Sequence, residues 1–200
     1  MIHIDLRQHY IRPAAVLAPE YAYLCATRCY HGLRAHPSGR SQTDTQLTQL
    51  WENTYVGKSA ELAYGLAHGL AVDHLAHDSQ GADDYPRIDV KTVRERDGEW
   101  RFHVNTTTVD RLTADRNFRI APVYHLDAYR YAVAEEWTHD DLEAAFHTGA
   151  AEWIENPNPG KTPYVRVRML NPGDLANVEA LPLHNRDYLD HLVGGTGAPP

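Results

Sequence analysis

Cysteine is scarce in this chain of 200 residues, which contains only Cys25 and Cys29. The two lie one helical turn apart in the helix-like segment from Pro19 to Arg34, which excludes a scaffold of disulfide bridges and favours reduced thiols. Together with His31 they could begin a zinc site. A structural zinc needs four ligands, however, and the sequence has no second C-x-x-C or H-x-x-x-H pair to supply the rest.

Long hydrophobic runs are also missing. No apolar stretch approaches the length that spans a bilayer. The N-terminal residues, Met1 to Arg7, lack the basic-then-apolar layout of a signal peptide. We therefore expect a cytoplasmic location and no membrane partner.

Positive charge is in deficit, with 19 basic residues against 27 acidic ones and a net charge of −8. Such a balance excludes a protein whose whole surface binds nucleic acid. The distribution is uneven, since eight of the basic residues fall between Arg87 and Arg119 beside six acids. This segment predicts a modest basic strip, although a strand edge that carries charge against aggregation would look similar.

The hydrophobic periodicity predicts an α/β (α+β) fold. A helix begins near Thr43, which can cap it in a capping box with Gln46. The later predicted elements are strands at Leu70 to Asp78, Pro86 to Val93 and Glu99 to Val104, a β-rich run from Val123 to Val133, a helix from about Asp140 to Ile154 capped by Thr138, a strand from Tyr164 to Met169 and a short helical piece around Asp187 to Leu192.

No internal repeat or linker divides the chain, so we expect a single domain over residues 1–193. Within it we expect an N-terminal helical extension (1–42), a core that carries the motif (43–110) and the remaining sheet and helix (111–193). Residues 194–200, rich in glycine and proline, are typical of a flexible tail.

The strand from Arg87 to Thr92 carries a carboxylate and an amine two positions apart. Alternate side chains of a strand share a face, so Asp89 and Lys91 point the same way. An isolated D-x-K is more often an ordinary ion pair than a site. If the preceding hairpin folds about Gly81, however, Asp73 lies opposite Asp89 and faces the same side.

Glu61 falls on the apolar stripe of the first predicted helix, where an ionised side chain needs a partner. With Asp73, Asp89 and Lys91 it would place three carboxylates and one amine around a point. Hard oxygen ligands in that number suit Mg²⁺ bound together with a substrate phosphate.

This arrangement resembles the PD-(D/E)xK nucleases of the restriction-endonuclease-like fold. The resemblance is carried by Gly57-Lys58-Ser59-Ala60-Glu61, by Val72-Asp73-His74-Leu75, by Ile88-Asp89-Val90-Lys91-Thr92 and by the next strand around Trp100 to Val104. It covers about Thr43 to Val109 well and the stretch from Tyr124 to Leu175 more vaguely. No proline precedes Asp73, and Asp84 and then Asp78 are the alternatives for the first acid.

The resemblance implies a mixed central sheet flanked by helices and a Mg²⁺-dependent endonuclease, in which Mn²⁺ can substitute, that cuts DNA and can act as a homodimer. Asp73, Asp89 and Glu61 would hold the metal, and Lys91 would orient the attacking water. The residues expected to contact nucleic acid are Lys58, Arg87, Arg94, Arg96 and Arg101. The alternatives are a nucleic-acid-binding module of the same fold that does not cut, and a globular protein with an accidental D-x-K.

Overall fold

A seven-stranded mixed sheet runs through the computed structural model, which describes residues 1–11, 16–35, 44–72, 83–156 and 162–173. Its elements in chain order are β1 (Ile2–Asp5), β2 (Tyr10–Ile11), β3 (Val16–Leu17), α1 (Ala18–Ala35), α2 (Asp44–His68), β4 (Ile88–Arg96), β5 (Glu99–Asn105), α3 (Thr106–Ala114), β6 (Arg119–His125), β7 (Arg130–Val133), α4 (His139–His147), β8 (Ala151–Ile154) and β9 (Tyr164–Met169). The strand order is β1-β7-β6-β4-β5-β9-β8, and β2 and β3 form a separate small ladder. A mixed sheet with flanking helices was predicted, and this part of the fold prediction is confirmed.

The two faces of the sheet bury two different cores. Val90 of β4 packs with residues of α1 and α2, including Ala60 and Tyr64, and we call this side the α2 face. Val93 packs with Phe102 of β5 and Leu112 of α3 on the opposite side, the α3 face. Because side chains alternate along a strand, Asp89 and Lys91 belong to the α3 face.

The long helix α2 ends where Gly69 adopts a left-handed conformation, with φ of 74°. The Leu70 amide then donates to the Gly65 carbonyl over 2.9 Å, which closes the last helical turn in a Schellman-type motif. A residue with a Cβ atom is disfavoured at that φ, so the sequence itself ends the helix here.

The hairpin between β4 and β5 has the register expected from its turn. Asp97 and Gly98 both have positive φ, as a two-residue primed turn requires, and Arg96 pairs with Glu99. The strand predicted from Glu99 to Val104 is therefore confirmed as β5. The other main neighbour of β4 is β6, which runs parallel to it and places Ile120 beside Asp89.

The N-terminal extension, predicted to be helical, also contains strands. The helix predicted between Pro19 and Arg34 is present as α1, but β1 joins the sheet as the edge strand beside β7. Ile4 and Leu6 are buried in the core of the α2 face. Apolar and polar residues alternate from Ile2 to Asp5, which is typical of a strand. The interpretation of this segment as helical did not use that alternation.

Two further predictions around the motif need correction. Leu70, Ala71 and Val72 do not form the start of a strand, since the chain is still turning away from α2 there, and the rest of that predicted strand lies outside the described residues. The short helix α3 was not predicted. Its Thr-rich sequence has weak helix propensity, and Asn105 initiates it by accepting a hydrogen bond from the Thr108 amide over 2.7 Å.

The predictions for the second half of the chain were correct in position and partly wrong in type. The run from Val123 to Val133 is split into β6 and β7 by a turn in which Asp127 accepts backbone amides. The predicted helix from Asp140 to Ile154 ends at His147, and β8 follows after Gly149, which has φ of 75°. Thr138 does cap α4, in a capping box with Asp141.

The strand predicted at Tyr164 to Met169 is confirmed as β9. The predicted piece around 187–192, the tail at 194–200 and the capping residue Thr43 lie outside the described residues. In the part of the chain that is described, no helix is long and apolar enough to cross a membrane.

Candidate functional site

A buried ion pair marks the middle of α2. Lys58 Nζ lies 2.6 Å from Glu61 Oε2, with side-chain exposures of only 6% and 13%. The spacing of three residues places both groups on one side of the helix. Glu61 therefore faces inward, as its position on the apolar stripe predicted, and its partner comes from the same helix.

Tyr85 fixes the loop that leads from α2 to β4. Its hydroxyl donates to the Glu61 carbonyl over 2.8 Å, and its ring packs against Tyr64. The contact depends on Gly65, because a Cβ atom there would lie 2.1 Å from Tyr85 Oη and 2.6 Å from Val72 Cγ1. The glycine thus allows the loop to lie close to the helix beside Glu61.

Asp84, one residue before Tyr85, is held between the two faces of the sheet. Its Oδ2 atom accepts the Val90 amide over 2.7 Å. Burial, followed by the negative charges of Glu61 and Asp89, raises the pKa of Asp84 to about 8. The charges of both acids act on this carboxyl, that of Glu61 from α2 and that of Asp89 from β4.

Asp89 is held by two different donors. Lys91 Nζ lies 2.6 Å from its Oδ1 atom, and Thr108 Oγ1 donates to its Oδ2 atom over 2.5 Å. The side chains of Asp89 and Lys91 are 16% and 19% exposed, and Thr108 is buried. The D-x-K pair therefore shares its face as predicted, and α3 supplies a further hydroxyl to the acid.

The structure brings together four of the predicted residues: Glu61, Asp84, Asp89 and Lys91. With Lys58 they make a group of three carboxyls and two amines, which we call the acid cluster. Asp73 and Asp78 lie outside the described residues. Asp83 points elsewhere, since it forms an ion pair with Arg111 of α3.

A cavity of about 530 Å³ lies beside Asp84, which is the one member of the acid cluster among its described lining residues. Its described lining includes Leu70, Ala71 and Pro86. A larger cavity of about 1000 Å³ lies between α4 and the end of β9 and contains none of the predicted site residues. Size alone therefore does not identify the site in this molecule.

The residues predicted to contact nucleic acid are separated by the fold. Lys58 is buried in the acid cluster, and Arg87 lies near it, 63% exposed and 3.5 Å from Asp115. Arg94, Arg96 and Arg101 lie together around a different cavity of about 410 Å³. The predicted basic strip is thus continuous in sequence and divided in space.

Sequence reasoning missed Thr108 and ranked Asp84 second. The signal for Thr108 was the Asn105-x-x-Thr108 spacing of a capped helix directly after the motif strands. The signal for Asp84 was its short separation from Asp89, which allows the loop to fold back on its own strand. Both depend on how the chain turns rather than on residue type.

Two other places among the described residues contain side chains that can bind metals. Burial raises the pKa of the Cys25 thiol to about 11, so this thiol stays protonated at neutral pH and is a poor zinc ligand. His139, Asp140 and Glu143 on α4 have ligand atoms within 4.8 Å of one another. They lie on the surface away from the motif, and exposed groups of this kind are common without an ion.

Comparison with protein-family models, with curated proteins and with solved structures finds no match to this chain. The function is therefore argued from the acid cluster itself.

Proposed function

We propose that this protein is a Mg²⁺-dependent nuclease of the restriction-endonuclease-like type that cuts DNA. The observation that carries the proposal is the position of Asp84 between Glu61 and Asp89. Glu61 and Asp89 belong to the predicted ligand set, and Asp84 was the first alternative to Asp73; three carboxyls beside the lysine of the D-x-K strand suit Mg²⁺. The order of helix, acid, D-x-K strand and following strand also agrees with the resemblance.

The residues present fit a divalent cation. The pKa of Asp84 is raised because burial, and then the charges of Glu61 and Asp89, disfavour its ionised form. A cation in their midst would reverse this effect, since opposite charge stabilises the ionised form. When Asp84 is ionised, three carboxylates face only two amines, so a divalent cation among them is electrostatically favourable.

Each residue of the acid cluster has a separate role in this proposal. Asp84 and Asp89 would be the principal ligands, with Glu61 completing the shell directly or through water. When bound, Mg²⁺ would polarise the phosphoryl oxygen and lower the pKa of a coordinated water. Lys91 would orient the attacking water and donate to the charge that grows on the phosphorane.

Thr108 and Lys58 would act as supporting residues. The Thr108 hydroxyl donates to one oxygen of Asp89. The other oxygen, which contacts Lys91, could exchange that contact for one with the metal. Lys58 pairs with Glu61 and limits how much negative charge the cluster carries before a metal arrives. Such outer contacts set the orientation and basicity of metal ligands.

One observation favours the alternative, a module that binds nucleic acid without cutting. Glu61 and Asp89 each have a lysine 2.6 Å away, so the cluster is largely compensated without a metal. A structural group of this kind would stabilise the contact between α2 and β4. It would not need Asp84 to ionise.

The test is incubation of the purified protein with supercoiled plasmid in Mg²⁺ or Mn²⁺ and in EDTA. We expect nicking or linearisation with metal, none in EDTA, and at least a hundredfold loss in Asp89→Ala and Lys91→Ala. Asp84→Asn and Asp73→Asn, compared side by side, identify the first acid. We expect the Asp84 variant to lose cleavage.

Asp140→Asn provides the matched control, because it removes one carboxylate from the exposed group on α4. This variant should cut as the parent does. Undiminished cleavage by both Asp89→Ala and Lys91→Ala would refute the site. Absence of cleavage on single-stranded and double-stranded substrates alike would favour the binding module.

A further inference from the structure

We infer that the solvent-facing side of β4, β5 and β9, remote from the acid cluster, binds a single-stranded nucleic acid. This surface consists of Arg94, Arg96, Arg101, His103, Tyr164 and Arg166, with Arg168 at its edge; we call it the arginine face. The inference rests on the proposed function, because that function is the reason for naming nucleic acid as the bound polyanion. It deepens that function by naming where the substrate strand lies.

The sheet pattern shows why this face is polar. Phe102 and Val104 of β5, and Val165 and Val167 of β9, all point into the core of the α3 face. The residues between them therefore point to the opposite side. The pairing of Arg101 with Arg168, and of His103 with Arg166, aligns basic side chains across the two strands.

None of the described helices covers this half of the sheet on that side. α2 packs over β4, β6 and β7, and it borders the arginine face at Asn53, which accepts a hydrogen bond from Arg94 over 2.7 Å. α3 and α4 pack on the other side, against β5 and β8. A cavity of about 410 Å³ lies at this border, lined by Asn53, Arg94, Arg96, Arg101 and His103.

Positive charge converges on this cavity. Arg101 is paired with Asp97 at 2.9 Å, and Arg166 with Glu152 at 2.7 Å. Arg96 forms no ion pair with any described residue and is exposed. Arg168 is also exposed, and its guanidinium donates to the Gly149 carbonyl over 2.5 Å beside the cavity between α4 and β9. Burial and then the charges of Arg96, Arg101 and Arg166 lower the pKa of His103, which shows that their field acts on this one ring.

Aromatic rings beside the arginines favour a single strand over a duplex. The His103 and Tyr164 rings are neighbours, with centroids 4.6 Å apart. Arginines that track a backbone and rings that stack on unpaired bases are the two components of single-strand recognition on a sheet. A duplex would offer phosphates to the arginines but no free base to the rings.

Measured along single elements, the arginine face and the acid cluster are separated by modest distances. Asn53 at the cavity and Glu61 in the cluster are separated by eight residues of one helix, which corresponds to about 12 Å. Arg94 and Asp89 are five residues apart on β4, which corresponds to about 17 Å. Because side chains alternate along β4, Asp89 and Lys91 face the opposite side of the sheet from Arg94 and Arg96. The arginine face is therefore a contact surface separate from the acid cluster.

The test measures binding of a fluorescein-labelled 20-nucleotide single strand and a 20-base-pair duplex by fluorescence anisotropy in EDTA. The variant Arg96→Ala/Arg168→Ala is compared with Arg7→Ala/Arg130→Ala. The control pair loses the same charge at the other end of the sheet, from side chains that are 57% and 59% exposed. Thermal melting checks that both variants are folded.

We expect the single strand to bind more tightly than the duplex. The Arg96/Arg168 variant should bind on the order of tenfold more weakly at 0.1 M salt, with a salt slope shallower by about 1.4, since each single-strand phosphate contact contributes about 0.7. The control variant should bind nearly as the parent does. Asp89→Ala should keep binding while it loses cleavage, which separates this inference from the proposed function.

Three results would overturn the inference. They are equal losses in the two double variants, binding of the duplex at least as tight as that of the single strand, and displacement of the strand by poly-glutamate as efficiently as by unlabelled oligonucleotide. The last result would assign the surface to an acidic polypeptide.

Discussion

At the scale of single residues, the proton on Asp84 has the clearest effect on how stability depends on pH. Its pKa of about 8 in the folded protein lies far above the value near 4 of an unfolded chain. Between these values the folded state binds more protons, so this carboxyl lowers the free energy of unfolding as pH rises from about 4 to 8. Its stabilising contribution is complete below pH 4 and lost above pH 8.

Asp84→Asn should remove this dependence, because an amide resembles the protonated acid at every pH. We expect the variant and the parent to unfold similarly in urea at about pH 3.5, below the pKa of the unfolded chain. At pH 9 in EDTA the variant should be more stable, by on the order of 1 kcal/mol or more, given about 1.4 kcal/mol per pKa unit. Parallel pH profiles for the two proteins would show that Asp84 is not the titrating group.

Thr108 gives the second residue-scale prediction. Thr108→Val removes the hydroxyl that donates to Asp89 and leaves a side chain of similar size. We expect about 10–100-fold more Mg²⁺ to be required for half-maximal cleavage, as is typical when an outer partner of a metal ligand is lost. Thr108→Ser should restore the requirement of the parent, and failure of serine to do so would indicate a packing role instead.

At the scale of elements, the contact between α2 and the loop before β4 decides whether the acid cluster forms. Gly65→Ala should lower the free energy of unfolding by about 1–3 kcal/mol, because the new methyl group overlaps Tyr85 and Val72. It should also displace Asp84 and reduce cleavage. Chemical denaturation and plasmid assays measure the two effects.

Gly57→Ala is the natural control on the same helix. A Cβ atom there would meet nothing within 4 Å, so alanine should raise stability by about 0.5–1 kcal/mol through its helix propensity. If both substitutions raise the free energy of unfolding, the close approach of Tyr85 to Gly65 does not contribute to stability and the account of the loop is wrong.

Element by element, the sequence was informative where one local signal dominated. The Asp97-Gly98 turn, the Thr138 cap and the alternation in Tyr164 to Met169 each specify their structure within a few residues. The predicted cap and the predicted strand are confirmed. The helix predicted through residues 151–154 is wrong because tertiary pairing outweighed propensity, and α3 was not predicted. Ala151 to Ile154 became a strand because β9 offers it a ladder.

At the scale of the whole molecule, the N-terminal segment belongs to the main sheet. Deleting residues 1–8 should lower the melting temperature by about 10 °C, because it exposes the buried sites of Ile4 and Leu6 and leaves β7 as an edge. Deleting residues 194–200, which the sequence predicts to be a loose tail, should change it little. Equal melting of the first truncation and the full chain would mean that β1 is dispensable.

The sequence by itself determined the D-x-K pair, the inward position of Glu61 and the mixed order of helices and strands. These follow from side-chain periodicity, which is a local property of helix and strand geometry. It could not rank Asp84 or find Thr108, since their positions depend on a loop folded against α2 and on a helix placed beside β4. Only the tertiary structure decided those contacts and the division of the basic strip, because residues distant in sequence become neighbours only when the sheet and its helices pack.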